Sequence, residues 1–175
     1  MDSCLVGSEM CIRDRNISCP NVLQRNYDLD YLLETCRGYT NKPLLIKVSP
    51  NLKKEEYIRI SHLCLDNNID GIIISNTLKT LEGSKSGSKD LDKLSNEIIS
   101  LVYRETNGGL PIIGSGGIMT VEQAFRKIEH GASLIQIYSG FIKNGPDFVY
   151  DINKYIGIKL KKEKKNIKDI IGRKA

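Results

Sequence analysis

The sequence predicts an α/β domain in which parallel strands alternate with helices. Three observations carry that expectation. Apolar runs rich in β-branched residues occur four times, in LLIKV, GIIISNT, LPIIGSGG and SLIQIYSG, and each is followed by a helical candidate. The runs are continuous instead of alternating with polar residues, as in strands whose two faces are both covered. Polar and glycine-rich residues gather where these runs end, which is where parallel α/β sheets, open or closed into a barrel, hold their chemistry.

Taken in order, residues 1–15, MDSCLVGSEMCIRDR, show neither an apolar period nor the continuous apolar core of a signal peptide. They resemble translated sequencing-adaptor DNA, so they are expected to be non-native or disordered, with the folded domain spanning residues 16–175. Lys42-Pro43 introduces LLIKV and Ser49-Pro50 ends it; KKEEYIRISHLCLDNN then sets Tyr57, Ile60 and Cys64 at helical spacing. Between GIIISNT and the helical LDKLSNEIISLVYRET lies EGSKSGSKD, residues 82–90, a Gly/Ser/Lys-rich insertion that reads as a linker loop or a lid. After LPIIGSGG, Thr120 with Gln123 fits a capping box and Gly131 a helix-terminating glycine. SLIQIYSG precedes a last helix beginning near Pro146 and a basic C-terminal helix or tail.

Composition narrows the function classes. Of 175 residues, 40% are hydrophobic and 27% charged, ordinary for a globular domain with a core. No apolar run approaches the roughly 20 residues of a membrane span. The formal charge of +5 resides in the tail: from Ile152 onward nine Lys/Arg stand against two Asp/Glu, whereas the rest holds 17 basic and 19 acidic groups. That lysine-rich segment reads as a solvated helix face or a frayed end, less readily as a patch for anionic partners, and its lysines lack the interleaved aromatics of a nucleic-acid surface. The five cysteines form no CxxC pair and the two histidines lie apart, so no metal site is expected. An odd thiol count without secretory features points to an intracellular, reducing location.

Five stretches carry candidate chemistry. NISCPN, residues 16–21, packs amides, a hydroxyl and a thiol around a proline and reads either as a turn or as a site. Lys47 within LLIKV is either an edge position whose charge snorkels to solvent or a cation aimed at a ligand. IIGSGGI, residues 112–118, lets main-chain NH groups approach a phosphate, or is simply a tight turn; it lacks the GxGxxG dinucleotide spacing. Ser75-Asn76-Thr77 and Tyr138-Ser139 end two further strands.

Together these segments resemble the C-terminal half of the dihydroorotate dehydrogenase family, flavin-dependent (β/α)8 barrels of pyrimidine biosynthesis. NISCPN is similar to that family's asparagine-rich catalytic segment, KVSP to its flavin-lysine strand and IDGIIISNT to its substrate strand. GSKSG stands where the family has Gly-Gly-Leu-Ser-Gly, while LPIIGSGGI and GASLIQIYSGFIKNGP follow the family pattern throughout. The resemblance implies FMN bound by Asn16, Lys47, Ser75, Ser86, Gly87, Gly116, Gly117, Tyr138 and Ser139. It implies dihydroorotate held by Asn16, Asn21, Asn76 and Thr77. Cys19 would take the proton from C5 of dihydroorotate as hydride leaves C6; a thiol of pKa near ~8.5 is a credible base.

The tail and the substrate strand resemble the membrane-associated, quinone-reducing class 2 enzymes, whereas cysteine at position 19 is typical of the soluble class 1 enzymes. Class 2 implies quinone as electron acceptor, at the mitochondrial inner membrane or the bacterial cytoplasmic membrane, with peripheral attachment through an N-terminal region absent here. A (β/α)8 barrel needs about 250 residues, so the chain is expected to be the C-terminal half of a TIM barrel and inactive alone. Two other readings stay open: another phosphate- or flavin-binding barrel enzyme, and a non-catalytic half-barrel that binds a phosphate ligand.

Overall fold

A computed structural model describes residues 14–16, 28–75, 78–80, 83–85 and 89–175, with residues 14–16, 78–80, 83–85 and 89 described as backbone alone. Five strands, β1 (Asp14–Asn16), β2 (Leu45–Val48), β3 (Gly71–Ile74), β6 (Ile112–Gly114) and β7 (Leu134–Ile135), form one parallel sheet in the order β1-β2-β3-β6-β7. Between them run helices α1 (Leu29–Gly38), α2 (Lys54–Asp66), α3 (Lys89–Glu105) and α4 (Val121–Glu129), and α5 (Ser139–Asn144) and α6 (Asp147–Glu163) follow β7. All four anticipated strands are present and parallel, as the continuous apolar runs require.

The fifth strand, β1, contains Asp14 and Arg15, which the sequence reading left outside the fold. They pair with Leu45 and Ile46 of β2. A ladder uses main-chain groups, so even a run without apolar period can extend a sheet. Helix α1 also went unread. Asp28 caps it by accepting from the Asp30 and Tyr31 NH groups, and Leu29, Leu33 and Cys36 face the core at helical spacing. A further finding is an antiparallel hairpin of β4 (Leu78–Thr80) and β5 (Gly83–Lys85), of which β5 falls within the presumed loop, residues 82–90, and β4 precedes it. Its two-residue connection carries none of the Asn-Gly or Asp-Gly signals that mark hairpins in sequence.

Side-chain period fixes which face of the sheet meets the helices. Ile46 and Val48 of β2, Ile72 and Ile74 of β3 and Ile112 of β6 join Leu33, Tyr57, Ile60, Cys64, Ile98, Ile99 and Val102 in the main core. Residues between them in β2 therefore face the other way, Lys47 included. Tyr57 also fixes the turn after β2: its hydroxyl donates to the Ser49 carbonyl at 2.8 Å and accepts from the Leu52 NH at 3.3 Å. Burial pushes that phenol up to about 12. Thr120 and Gln123 form the expected capping box, and Gly131, at φ +123°, follows the end of α4.

The basic tail is neither frayed nor wholly solvated. Ile170 is fully buried, the Gly172 and Lys174 NH groups donate to the Ile128 and Glu129 carbonyls, and Tyr103 lies against Gly172. Glu129, itself buried, accepts from Arg173 Nε at 2.9 Å and Lys174 Nζ at 2.8 Å. Burial works to raise the Glu129 carboxyl, but these two cations outweigh it and hold the group below its usual range. No helix among the described residues is long and apolar enough to cross a membrane.

Candidate functional site

The carboxyl ends of β2, β3, β6 and β7 converge on one cleft of about 170 Å3, walled by Lys47, Ser75, Leu91, the Ser115–Ile118 loop and the Gln136–Ser139 segment. Lys47 enters it because strand period turns it away from the helices. It is no edge residue, since β2 lies between β1 and β3. Its backbone neighbours are Asn16 on one side and Ile73 on the other. Its ammonium donates to Gln136 Oε1 at 3.4 Å, from one strand end to another across the cleft.

The opposite wall is the loop after β6. Gly116 and Gly117 adopt φ of +84° and +73°, a region that side chains other than glycine's rarely enter. A Cβ on Gly116 would lie 3.1 Å from Ser75 Oγ and from Leu91, and one on Gly117 would lie 2.4 Å from the Asp92 nitrogen. Gly117 is therefore required by close approach as well as by φ, and Gly116 by φ, with only tight side-chain neighbours. The Ser115 NH donates to the Ile74 carbonyl at 2.5 Å and the Ser75 NH to the Ser115 carbonyl at 3.2 Å, which carries the β3–β6 ladder to the cleft floor. The Ile74–Ser75 peptide bond is cis.

Beneath the loop, α3 and α4 share a buried polar network. Lys127, with no exposed surface, donates from Nζ to Ser95 Oγ at 2.6 Å, Asn96 Oδ1 at 3.1 Å and Asp92 Oδ1 at 3.2 Å. Asp92 Oδ2 accepts from Arg126 Nη2 at 3.0 Å and Gln123 Nε2 at 3.4 Å. Burial brings the Lys127 ammonium down to about 8, against the raising pull of the Asp92 carboxylate.

Of the residues singled out in the sequence, Lys47, Ser75, Gly116, Gly117, Tyr138 and Ser139 meet in this cleft. Asn16 is described only as backbone, beside Lys47. Cys19, Asn21, Asn76, Thr77, Ser86 and Gly87 lie outside the described residues. Sequence reasoning missed Gln136, although a lone amide inside the apolar SLIQIYSG was a usable signal. It missed Leu91 and Lys127 too, for which no local pattern distinguishes a cleft wall or a buried ammonium from ordinary helix positions.

Comparison with known proteins supplies the relatives of this arrangement. The model of the family described as dihydroorotate dehydrogenase matches residues 9–160. A protein of Christiangramia forsetii named dihydroorotate dehydrogenase (quinone) is 38% identical over 160 residues, covering 81% of this chain and 47% of the relative. One of Escherichia coli O1:K1 with the same name is 38% identical over 165 residues, covering 81% and 49%. Among solved structures, DHODH of Eimeria tenella in complex with ferulenol superposes with a TM-score of 0.78 at 27% identity, over 92% of this chain and 53% of that one. Ligand-free DHODH of Eimeria tenella gives 0.68 at 31% identity, over 75% and 39%. The chain spans about half the length of the curated relatives it matches, and its sheet is part of a (β/α)8 barrel.

Proposed function

The chain belongs to the dihydroorotate dehydrogenase family, and from that premise we propose that it is the cofactor-binding half of an FMN-dependent enzyme that oxidises dihydroorotate to orotate in pyrimidine biosynthesis and passes electrons to quinone. The observation that carries the reading is the meeting of Lys47, Ser75, the Gly116–Gly117 pair and Tyr138–Ser139 at one strand end. FMN combines an anionic phosphate with a ring that gains negative charge on reduction. The donor set fits both demands: glycines at positive φ with no side chain in the way of their NH groups, an ammonium on the facing wall, and hydroxyls between them.

In this reading the main chain of Gly116 and Gly117, with Tyr138 and Ser139, holds the phosphate. Lys47 keeps its ammonium toward the ring, oriented by Gln136. Ser75, Asn16, Ser86 and Gly87 complete the cofactor contacts. Asn16, Asn21, Asn76 and Thr77 hold the pyrimidine, whose imide edge presents donors and acceptors that amides match. FMN, when bound, supplies the acceptor for the hydride leaving C6 of dihydroorotate. Cys19 takes the proton from C5, and removal of both yields the C5–C6 double bond of orotate. The quinone step rests on the names of the curated relatives, and it would bring the whole protein to a quinone-bearing membrane, the bacterial cytoplasmic or the mitochondrial inner one.

The test is anaerobic mixing of the full-length, flavin-loaded native protein with dihydroorotate, followed by flavin absorbance. The parental protein should bleach, and Cys19→Ala should bleach about 10²- to 10⁴-fold more slowly while still binding orotate. A parental protein that binds flavin yet never bleaches overturns the function. Parental-rate bleaching by Cys19→Ala removes Cys19 as the base.

A further inference from the structure

Resting on the reading that the loop after β6 carries the flavin phosphate, we propose that Lys127 and Asp92 are positioning residues that hold this loop in its binding shape from behind and thereby set the affinity for the phosphate group. An ammonium with no exposed surface is among the least common of buried groups, and a Met of similar volume would fill its place without the desolvation cost. Its contacts show what the charge secures instead.

All three ammonium donors are engaged, to Asp92, Ser95 and Asn96 on α3. The stem of Lys127 packs under Gly114, where a Cβ would come within 3.0 Å of its Cδ. Ser95, which accepts from Lys127, shares its own proton between the Asp92 carbonyl at 3.1 Å and the Gly116 carbonyl at 3.4 Å. The main chain of Asp92 abuts Gly117. From the second carboxylate oxygen the chain of bonds continues through Gln123 Nε2, and Gln123 Oε1 accepts from the Met119 NH at 2.8 Å and the Thr120 NH at 3.0 Å. One ion pair thus reaches Gly114, Gly116, Gly117, Met119 and Thr120, five of the seven residues from Gly114 to Thr120, without either partner forming part of the cleft wall.

Such an arrangement acts through geometry. The NH groups of a glycine loop bind an anion only if their directions are fixed, because a flexible loop spends its binding energy on ordering itself. Lys127, in the last turn of α4, and Asp92, in the first turn of α3, tie the two helices together with the loop caught between them.

The experiment titrates FMN and riboflavin, which lacks the phosphate, into the flavin-stripped full-length native protein and into Lys127→Met and the double variant Asp92→Asn/Lys127→Met. The double variant leaves no buried charge orphaned, since Arg126, which loses Asp92, is half exposed, so it keeps the question answerable where the single variant fails to fold. The parental protein should prefer FMN. Both variants should lose about 10- to 100-fold in FMN affinity, the equivalent of one charge-assisted hydrogen bond, with riboflavin affinity changed less than about twofold. Variants that keep the parental preference, or that lose both ligands equally, overturn the inference and leave the phosphate reading standing. A parental protein without preference for FMN overturns the phosphate reading, and the inference falls with it.

Discussion

Replacing Gly117 by alanine tests the glycine wall of the cleft. Two costs are separable. At φ +73° an alanine suffers the left-handed penalty of about 1–2 kcal/mol. Its Cβ would also lie 2.4 Å from the nitrogen and 2.6 Å from the Cα of Asp92, main-chain atoms in the first turn of α3 that cannot swing aside. Overpacking of that kind costs about 1–3 kcal/mol. Gly145 separates conformation from clash: at φ +79° and ψ −178° it occupies a region nearly closed to residues with a Cβ, at a cost of about 1–3 kcal/mol, yet nothing lies within 4 Å of its Cβ position. Urea denaturation should therefore show Gly117→Ala destabilised by about 2–5 kcal/mol, with Gly145→Ala at about 1–3 kcal/mol and no part of its loss due to a clash. FMN affinity should fall in the first variant and hold in the second. If the two variants match in stability and flavin affinity, the close approach of loop and helix is wrong.

Other expectations follow from buried groups. Cys64 is fully buried and burial pushes its thiol up to about 12, so mass mapping after alkylation of the folded protein should leave it unmodified, and rapid native-state labelling would contradict its place in the core. Arg173→Met leaves buried Glu129 with Lys174 alone and should cost about 1.5–3 kcal/mol, the worth of a hydrogen bond to a charged group. Glu129 is held below its usual range, so its contribution is present above the unfolded carboxyl pKa and lost as pH falls through the folded value; acid denaturation should start at higher pH in Arg173→Met, and an unmoved midpoint would dismiss the clamp. Lys127 is brought down from 10.5 to about 8, so the unfolded chain binds its proton more tightly and stability should rise between those pH values in the parental protein relative to Lys127→Met; parallel pH curves would show that the ammonium is not desolvated.

The strands were legible because parallel strands buried on both faces write continuous apolar runs, and α4 was legible because its cap is local chemistry. Lys47 stood out for the same reason in reverse, as a charge where burial forbids one unless it meets a partner. What could not be read was long-range. Pairing of Asp14–Asn16 with β2 uses backbone alone, and the tail's docking depends on Glu129, 44 residues from Arg173 in the chain. The Lys127 network joins groups over 30 residues apart whose types look like any solvated helix face. Charge counts saw a basic tail; only the fold shows which of its cations are spent on a buried carboxylate.

The central claim is that the cleft at the carboxyl ends of β2, β3, β6 and β7 is the flavin site. A crystal structure of the full-length native protein grown with FMN and orotate tests it most directly. The account predicts phosphate density against the Gly116 and Gly117 NH groups and the flavin ring beside Lys47 Nζ. Flavin density elsewhere in the barrel, with this cleft holding only solvent, would contradict it.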